Sequence, residues 1–314
     1  MVQLNKDMFK GKNFISLQDY TAEEISHLID VALELKAENK AGIPHPVLQG
    51  KTLAMIFTKS STRTRVAFEV GIYQLGGIGL FLSSRDIQLG RGEPIEDTAR
   101  VLSRMVDGIM IRTYSHQEVI ELAKYSSVPV INGLSDYLHP TQILADLMTI
   151  KEHKGQIQGL KLAYIGDGNN VAHSLLLGGT KMGMQVVIAS PEGYQPDPEI
   201  VRLAQENAAL SGGSAVVTTD PEQAAQEADV LYTDVWASMG QEAESEARKK
   251  AFASYQINRE TLKIAKPEAI VMHCLPAHRE EEITAEVMEG PQSVVFDEAE
   301  NRLHAHKAIM ALIM

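Results

Sequence analysis

The sequence predicts an α/β protein: two doubly wound parallel-sheet domains with helices on both faces, and a C-terminal helix packing back on the first domain. Short apolar runs alternate with helical patterns along nearly the whole chain, at the spacing of βαβ crossovers rather than hairpins. The 314 residues, 44% of them hydrophobic, can bury a sizeable core, and the length favours two domains. The alternation breaks at residues 151–159, which are polar, glycine-flanked and without a clear period, and then restarts. The boundary is placed there, with residues 1–150 and the helix 299–314 in one domain and 151–298 in the other.

Thr21-Ala22-Glu23-Glu24 is a capping-box signature, and Ile25, Leu28, Ile29 and Ala32 follow as an apolar stripe at helical spacing. Gly42, Pro44 and Pro46 end that helix. The apolar run 53–57 reads as a strand, and the polar stretch 59–65 after it leads into a helix with Val66, Val70 and Tyr73 on one face. A strand at 78–82, a long polar loop at 83–94 and a helix around 98–105 come next. The strand 108–111 delivers Arg112 at its end. A helix near 118–124, a strand at 128–131 and a loop at 132–138 lead to His139-Pro140, where proline opens the next helix. In the second half, strands fall at 162–165, 185–189, 215–218, 230–233 and 270–272. Helices fall at 171–182, 197–210, 222–228 and 299–314.

A net charge of −12 repels nucleic acid, so a phosphate site here has to be a local island of positive charge. A single cysteine, Cys274, excludes an intramolecular disulfide and fits a reducing compartment. No run approaches the length of a membrane span, so a cytoplasmic protein is expected.

The chemistry-bearing residues fall at strand ends, where open α/β sheets bind their ligands. Lys59-Ser60-Ser61-Thr62-Arg63-Thr64-Arg65 concentrates hydroxyls and cations at a helix start, which suits a phosphate. It lacks the glycines of a Walker A loop. Arg112 is a reasonable second clamp, and His139 at a helix start can face a carbonyl oxygen. Gly166-Asp167-Gly168-Asn169-Asn170 resembles a dinucleotide fingerprint, but Ala189-Ser190-Pro191 stands where its acidic residue belongs, which disfavours NAD. The turn can instead offer an asparagine amide. Asp234 can hold an ammonium group, with Ser238 and nearby amides on a carboxylate. The charged stretch 241–250 is either a segment covering a substrate or an ordinary surface helix. His273-Cys274-Leu275-Pro276 lacks the partner spacing of a zinc site. Cys274 is either a reactive thiol or a small apolar filler.

Ser-Thr-Arg-Thr-Arg at 61–65, His-Pro-Thr-Gln at 139–142, Asp234 with Ser238-Met239-Gly240, and His-Cys-Leu-Pro at 273–276 together resemble the aspartate/ornithine carbamoyltransferase family over essentially the whole chain. Gln88 stands where the aspartate enzymes carry a lysine, and the Ser-Met-Gly loop is absent from the putrescine enzyme, so the resemblance is to the ornithine type. It implies carbamoyl transfer from carbamoyl phosphate to the δ-amine of L-ornithine, giving citrulline and phosphate, with no metal and no organic cofactor. By the same resemblance, Ser61, Thr62, Arg63, Thr64, Gln88 and Arg112 bind carbamoyl phosphate. His139, Pro140, Thr141, Gln142, Cys274, Leu275 and Arg302 bind it too, with His139, Gln142, Arg302 and the Cys274-Leu275 backbone at its carbamoyl end. Asn170, Asp234, Ser238 and Met239 grip ornithine. Arg112, His139, Cys274 and Asp234 stand nearest the chemistry. A homotrimer, or a multiple of trimers, is implied too, with Gln88 on a loop long enough to reach a neighbouring site.

Overall fold

The computed structural model describes residues 4–237 and 244–314, which divide into two compact units: Met1–Met148 with Glu300–Met314, and Thr149–Ala299. Ser238 and Met239 lie outside the described residues.

The first unit opens with α1 (Ala22–Lys40), whose capping box is complete: Thr21 Oγ1 accepts from the Glu24 amide, and Glu24 Oε2 accepts from the Thr21 amide. Then come β1 (Thr52–Phe57), α2 (Thr62–Gln74), β2 (Ile78–Ser83), α3 (Ile95–Leu102), β3 (Gly108–Arg112), α4 (His116–Tyr125), β4 (Val130–Leu134) and α5 (Pro140–Lys154). The four strands form a parallel sheet in the order β2-β1-β3-β4. The second unit carries β5 (Lys161–Ile165), α6 (Asn170–Lys181), β6 (Gln185–Ala189), α7 (Pro198–Ser211), β7 (Ser214–Thr218), α8 (Pro221–Ala225), β8 (Val230–Thr233), α9 (Ser245–Ala251), α10 (Arg259–Ile264), β9 (Ile270–His273) and α11 (Ala285–Met288). Its parallel sheet runs β7-β6-β5-β8-β9. Both orders reverse direction beside the first strand of the unit, which creates a switch point between β1 and β3 and another between β5 and β8.

The last helix, α12 (Val295–Ile313), returns its residues from Glu300 onward to the first unit. Lys36 Nζ donates to Asn301 Oδ1 at 2.7 Å, Lys307 Nζ to Gln74 Oε1 at 2.9 Å, and the His306 ring stacks on Phe68 at 4.0 Å. Gly71 of α2 lies against that crossing: a Cβ there would stand 3.0 Å from Met310 Cε and 3.3 Å from Lys307 Cγ, so those side chains would have to shift slightly.

Val66, Val70 and Tyr73 do share one face of α2, and it is exposed (51%, 37% and 78%), while the buried face carries Ala67, Phe68, Gly71 and Ile72. β2 is an edge strand, and Ile78 and Leu80 on it are also exposed among the described residues. Several expected bounds differ from those observed. The expected strand 128–131 is β4, shifted to Val130–Leu134, and the helix expected at 98–105 is α3, which begins at Ile95. The stretch 151–159 was expected to be irregular, yet α5 runs on to Lys154. The final helix starts at Val295 rather than 299.

Candidate active site

At the switch point of the first sheet, β1 ends in Phe57 and α2 begins at Thr62. Ser61 is the extended N-cap, and its Oγ accepts from the Thr64 amide at 3.2 Å. Thr64 turns inward and is fully buried. Its hydroxyl accepts from two guanidinium groups, Arg302 at 2.7 Å and Arg112 at 3.3 Å, so residues far apart in sequence converge on one oxygen. Arg112 is aimed by an irregularity. The β3–β4 register steps from Ile111↔Asn132 to Arg112↔Leu134, leaving Gly133 as the extra residue. A Cβ at Gly133 would lie 2.6 Å from Met110 Sδ, so a larger residue there would have to displace that side chain.

Lys59, Arg112 and Arg302 are each more than nine-tenths buried, and so is His139. Burial first, then the charges of Arg302, Arg112, His306 and Lys59, push the His139 pKa well below its ordinary value. The imidazole is therefore neutral at pH 7, with one N–H to donate. Pro140, Thr141 and Gln142 form the buried first turn of α5, where Gln142 Nε2 donates to Asp146 Oδ1 at 2.8 Å. Arg63 is half-buried, and its Nε has no hydrogen-bond partner among the described residues. Arg65 points elsewhere: its guanidinium lies 3.6 Å from the Phe81 ring centroid and pairs with Glu69 at 3.1 Å. Gln88 is exposed on a short 3₁₀ turn after β2.

The second sheet builds a different device at its own switch point. Asn169 caps α6, its Oδ1 accepting from the amides of Val171 (2.9 Å) and Ala172 (3.2 Å). Its Nδ2 donates to Asp234 Oδ2 at 2.8 Å. Asp234, just past β8, also accepts from its neighbour's amide at 2.8 Å and from Cys274 Sγ at 3.2 Å. Asn170 is the buried first residue of α6. The turn is clamped from behind. Arg248 Nη1 donates to Asp167 Oδ2 and to the Trp236 carbonyl, each at 2.9 Å. A Cβ at Gly168 would meet the Gln195–Pro196 backbone at 2.3 Å. Burial pushes the Asp167 carboxyl up to about 6, against the pull of Arg248.

Asn169, which sequence reading passed over in favour of Asn170, decides against a dinucleotide. Its side chain already takes the first amides of α6, the groups a pyrophosphate would need. A metal is no better served beside Asp234 and Cys274. His273 is the nearest imidazole, but its Nδ1 accepts from the Leu275 amide at 2.9 Å and its Nε2 lies 2.9 Å from Glu282 Oε1.

Residues 12–152 match the model of the aspartate/ornithine carbamoyltransferase carbamoyl-P binding domain, and residues 158–313 match that of the Asp/Orn binding domain. The chain belongs to the aspartate/ornithine carbamoyltransferase family. Among its relatives, an ornithine carbamoyltransferase of Thermococcus kodakarensis is 63% identical, the match covering 97% of this chain and 96% of that protein. One from Pyrococcus furiosus, named as anabolic, is 60% identical over 97% of this chain and 96% of its own length. The solved structure of the Pyrococcus furiosus ornithine carbamoyltransferase superposes with a TM-score of 0.95 at 59% identity, covering 98% of each chain. The anabolic enzyme of Campylobacter jejuni superposes at 0.91 and 46% identity, covering 96% of this chain and 98% of that one. Within this family fold, Ser61, Thr64, Arg112 and Arg302 are joined in the first unit, and Asp234 and Cys274 in the second.

Proposed function

We infer that the chain transfers the carbamoyl group of carbamoyl phosphate to the δ-amine of L-ornithine, giving L-citrulline and phosphate. It is a transferase of one-carbon groups. The observation that carries the reading is the chemical opposition of the two switch points: one gathers buried cations around Thr64, the other presents the Asp234 carboxylate. Carbamoyl phosphate is an anion and ornithine brings two amines. The high identity to relatives named ornithine carbamoyltransferase selects ornithine among amine acceptors.

In this reading the amides at the start of α2, with Ser61, Thr62, Arg63, Thr64 and Arg112, hold the phosphate. His139 and Arg302 face the carbamoyl oxygen, where a neutral imidazole donates a hydrogen bond without giving up its proton. Gln142 orients the carbamoyl amine. Asn170, Asp234, Ser238 and Met239 bind ornithine. An alkyl amine with a pKa of about 10.4 is almost wholly protonated at neutral pH, so the site has to bind or generate the free base. The nitrogen lone pair attacks the carbonyl carbon, negative charge grows on its oxygen, and the C–O bond to phosphate breaks as the amine gives up one proton, which leaves with the phosphate as hydrogen phosphate. The Arg63 and Arg112 forks stabilise the departing phosphate. Much of the acceleration is positioning of two substrates.

A homotrimer, or a multiple of trimers, accompanies this reading. Val66, Val70 and Tyr73 of α2 and Ile78 and Leu80 of the edge strand are exposed and apolar, which suits burial against a second copy. Exposed Gln88 follows that strand, and in this reading it serves a neighbour's site. The lone cysteine suits a cytoplasmic protein.

A colorimetric citrulline assay tests the function: turnover with ornithine is expected, and faster turnover of aspartate or putrescine would overturn it. Arg63→Ala is expected to lose activity by at least 10²-fold with an unchanged circular-dichroism spectrum, the size of effect for one donor on a developing charge. Sedimentation velocity at the trimer mass tests the assembly.

A further inference from the structure

The Cys274–Leu275 turn is held by groups that take no part in the chemistry above. His273, the last residue of β9, is fully buried. Its amide donates to Glu298 Oε2 at 2.9 Å, and Glu298 Oε1 accepts from Tyr232 Oη at 3.1 Å. Its Nδ1 accepts from the Leu275 amide at 2.9 Å, and its Nε2 lies 2.9 Å from Glu282 Oε1. A backbone N–H can only donate, so Nδ1 carries no proton and Nε2 carries one, donated to Glu282. Glu282 Oε1 also accepts from the His278 amide at 2.6 Å, and the carboxylate is fully buried. Leu275 sits at φ +58, in the left-handed region that costs an L-residue roughly 1–2 kcal/mol. Such a conformation persists only where its surroundings over-determine it.

We propose that Glu282 is a positioning residue for carbamoyl transfer: by fixing the Nε2–H form of His273 it holds the Leu275 amide, and through it the turn that presents Cys274 and the Leu275 backbone. This rests on the carbamoyl-transfer reading. Glu282 is fully buried and acts through His273. Without its acceptor, the imidazole can protonate at Nδ1 and face the Leu275 N–H donor to donor. The turn then has an alternative to the left-handed conformation, and Cys274 loses its fixed approach to Asp234. The carboxylate's other oxygen, Oε2, has no hydrogen-bond partner among the described residues, so glutamine can replace glutamate without deleting an accepted bond.

The experiment compares Glu282→Gln with Glu282→Ala in citrulline kinetics and reads the His273 ring by nitrogen-15 NMR, assigned through His273→Asn. Glu282→Ala is expected to lower kcat at least 30-fold with the KM for carbamoyl phosphate within threefold, and Glu282→Gln to keep kcat within threefold. Wild type is expected to show a protonated Nε2 and a bare Nδ1. Full kcat in the alanine variant, equal loss in both variants, or a protonated Nδ1 in wild type would overturn the proposal. If the alanine variant does not fold, the wild-type ring signal and the glutamine kinetics still decide. A wild type that shows the expected tautomer but makes no citrulline would count against the transferase reading alone.

Discussion

The N-termini of α2 and α6 occupy equivalent places, each following the first strand of its sheet at a switch point, yet they are built for opposite charges. At α2, Ser61 takes the Thr64 amide, and the surroundings are cationic: Arg112 and Arg302 meet on Thr64, with Lys59 buried nearby. At α6, Asn169 takes two amides and turns its NH₂ to Asp234. A helix start alone favours an anion. The capping residue decides whether that preference stays open to a ligand or is consumed internally to orient a carboxylate.

The sharpest way to break this contrast is to make the first site resemble the second. Ser61→Asp keeps a cap as good as serine, so the melting temperature is expected to stay within a few degrees. A charge set against the phosphate at about 4 Å costs about 4 kcal/mol, so affinity for carbamoyl phosphate is expected to fall by 10²-fold or more in a calorimetric titration. Unchanged affinity would show that the phosphate sits elsewhere. The converse change, Asn169→Ala, removes a cap worth about 1 kcal/mol and the hydrogen bond that holds Asp234 Oδ2. The KM for ornithine is expected to rise roughly tenfold, with that for carbamoyl phosphate unchanged. A rise in the carbamoyl phosphate KM alone would reverse the assignment of the two ends.

Acid sharpens the comparison further. Burial holds His139 and His306 well below the ordinary histidine pKa and His304 down at about 3, all in the first unit. The unfolded chain binds protons at these positions that the folded one refuses, so their contribution is present above about pH 6.5 and lost as pH falls. Each costs at most about 1.4 kcal/mol per pH unit. Asp167 in the second unit has the opposite sign: raised to about 6, it favours the folded state below about pH 4 and loses that contribution as pH rises through 6. Hydrogen exchange between pH 7 and 5 is expected to deprotect the first unit before the second. Simultaneous loss would remove this distinction.

The placement of much of the candidate site was legible because its residues are chemically distinctive and fall at strand ends. The alternation of apolar runs placed Arg112, His139, Asp234 and Cys274 there before any contact was known. What escaped depends on contacts that no local pattern carries. Asn169 and Asn170 are the same residue type in sequence, and only the fold tells the cap from its neighbour. Residues 132–138 read as a loop, while β4 runs on to Leu134 with Gly133 as the extra residue of a register shift beside Arg112. The Val66 face has helical spacing and apolar residues, but periodicity cannot say that the edge strand leaves it open. Arg302 was accessible only through family resemblance, since nothing near it in sequence announces that α12 brings it to Thr64. Glu282 and Glu298 read as two acids among many in an acidic chain.

A crystal structure with a bisubstrate analogue, a phosphonate joined to an ornithine side chain, tests the central contrast most directly. The phosphonate oxygens are expected within hydrogen-bond distance of the Ser61–Thr64 backbone and Arg112, with Asn170 and Asp234 contacting the ornithine end. A phosphonate seated at the N-terminus of α6 instead, with Asn169 displaced from its cap, would contradict it.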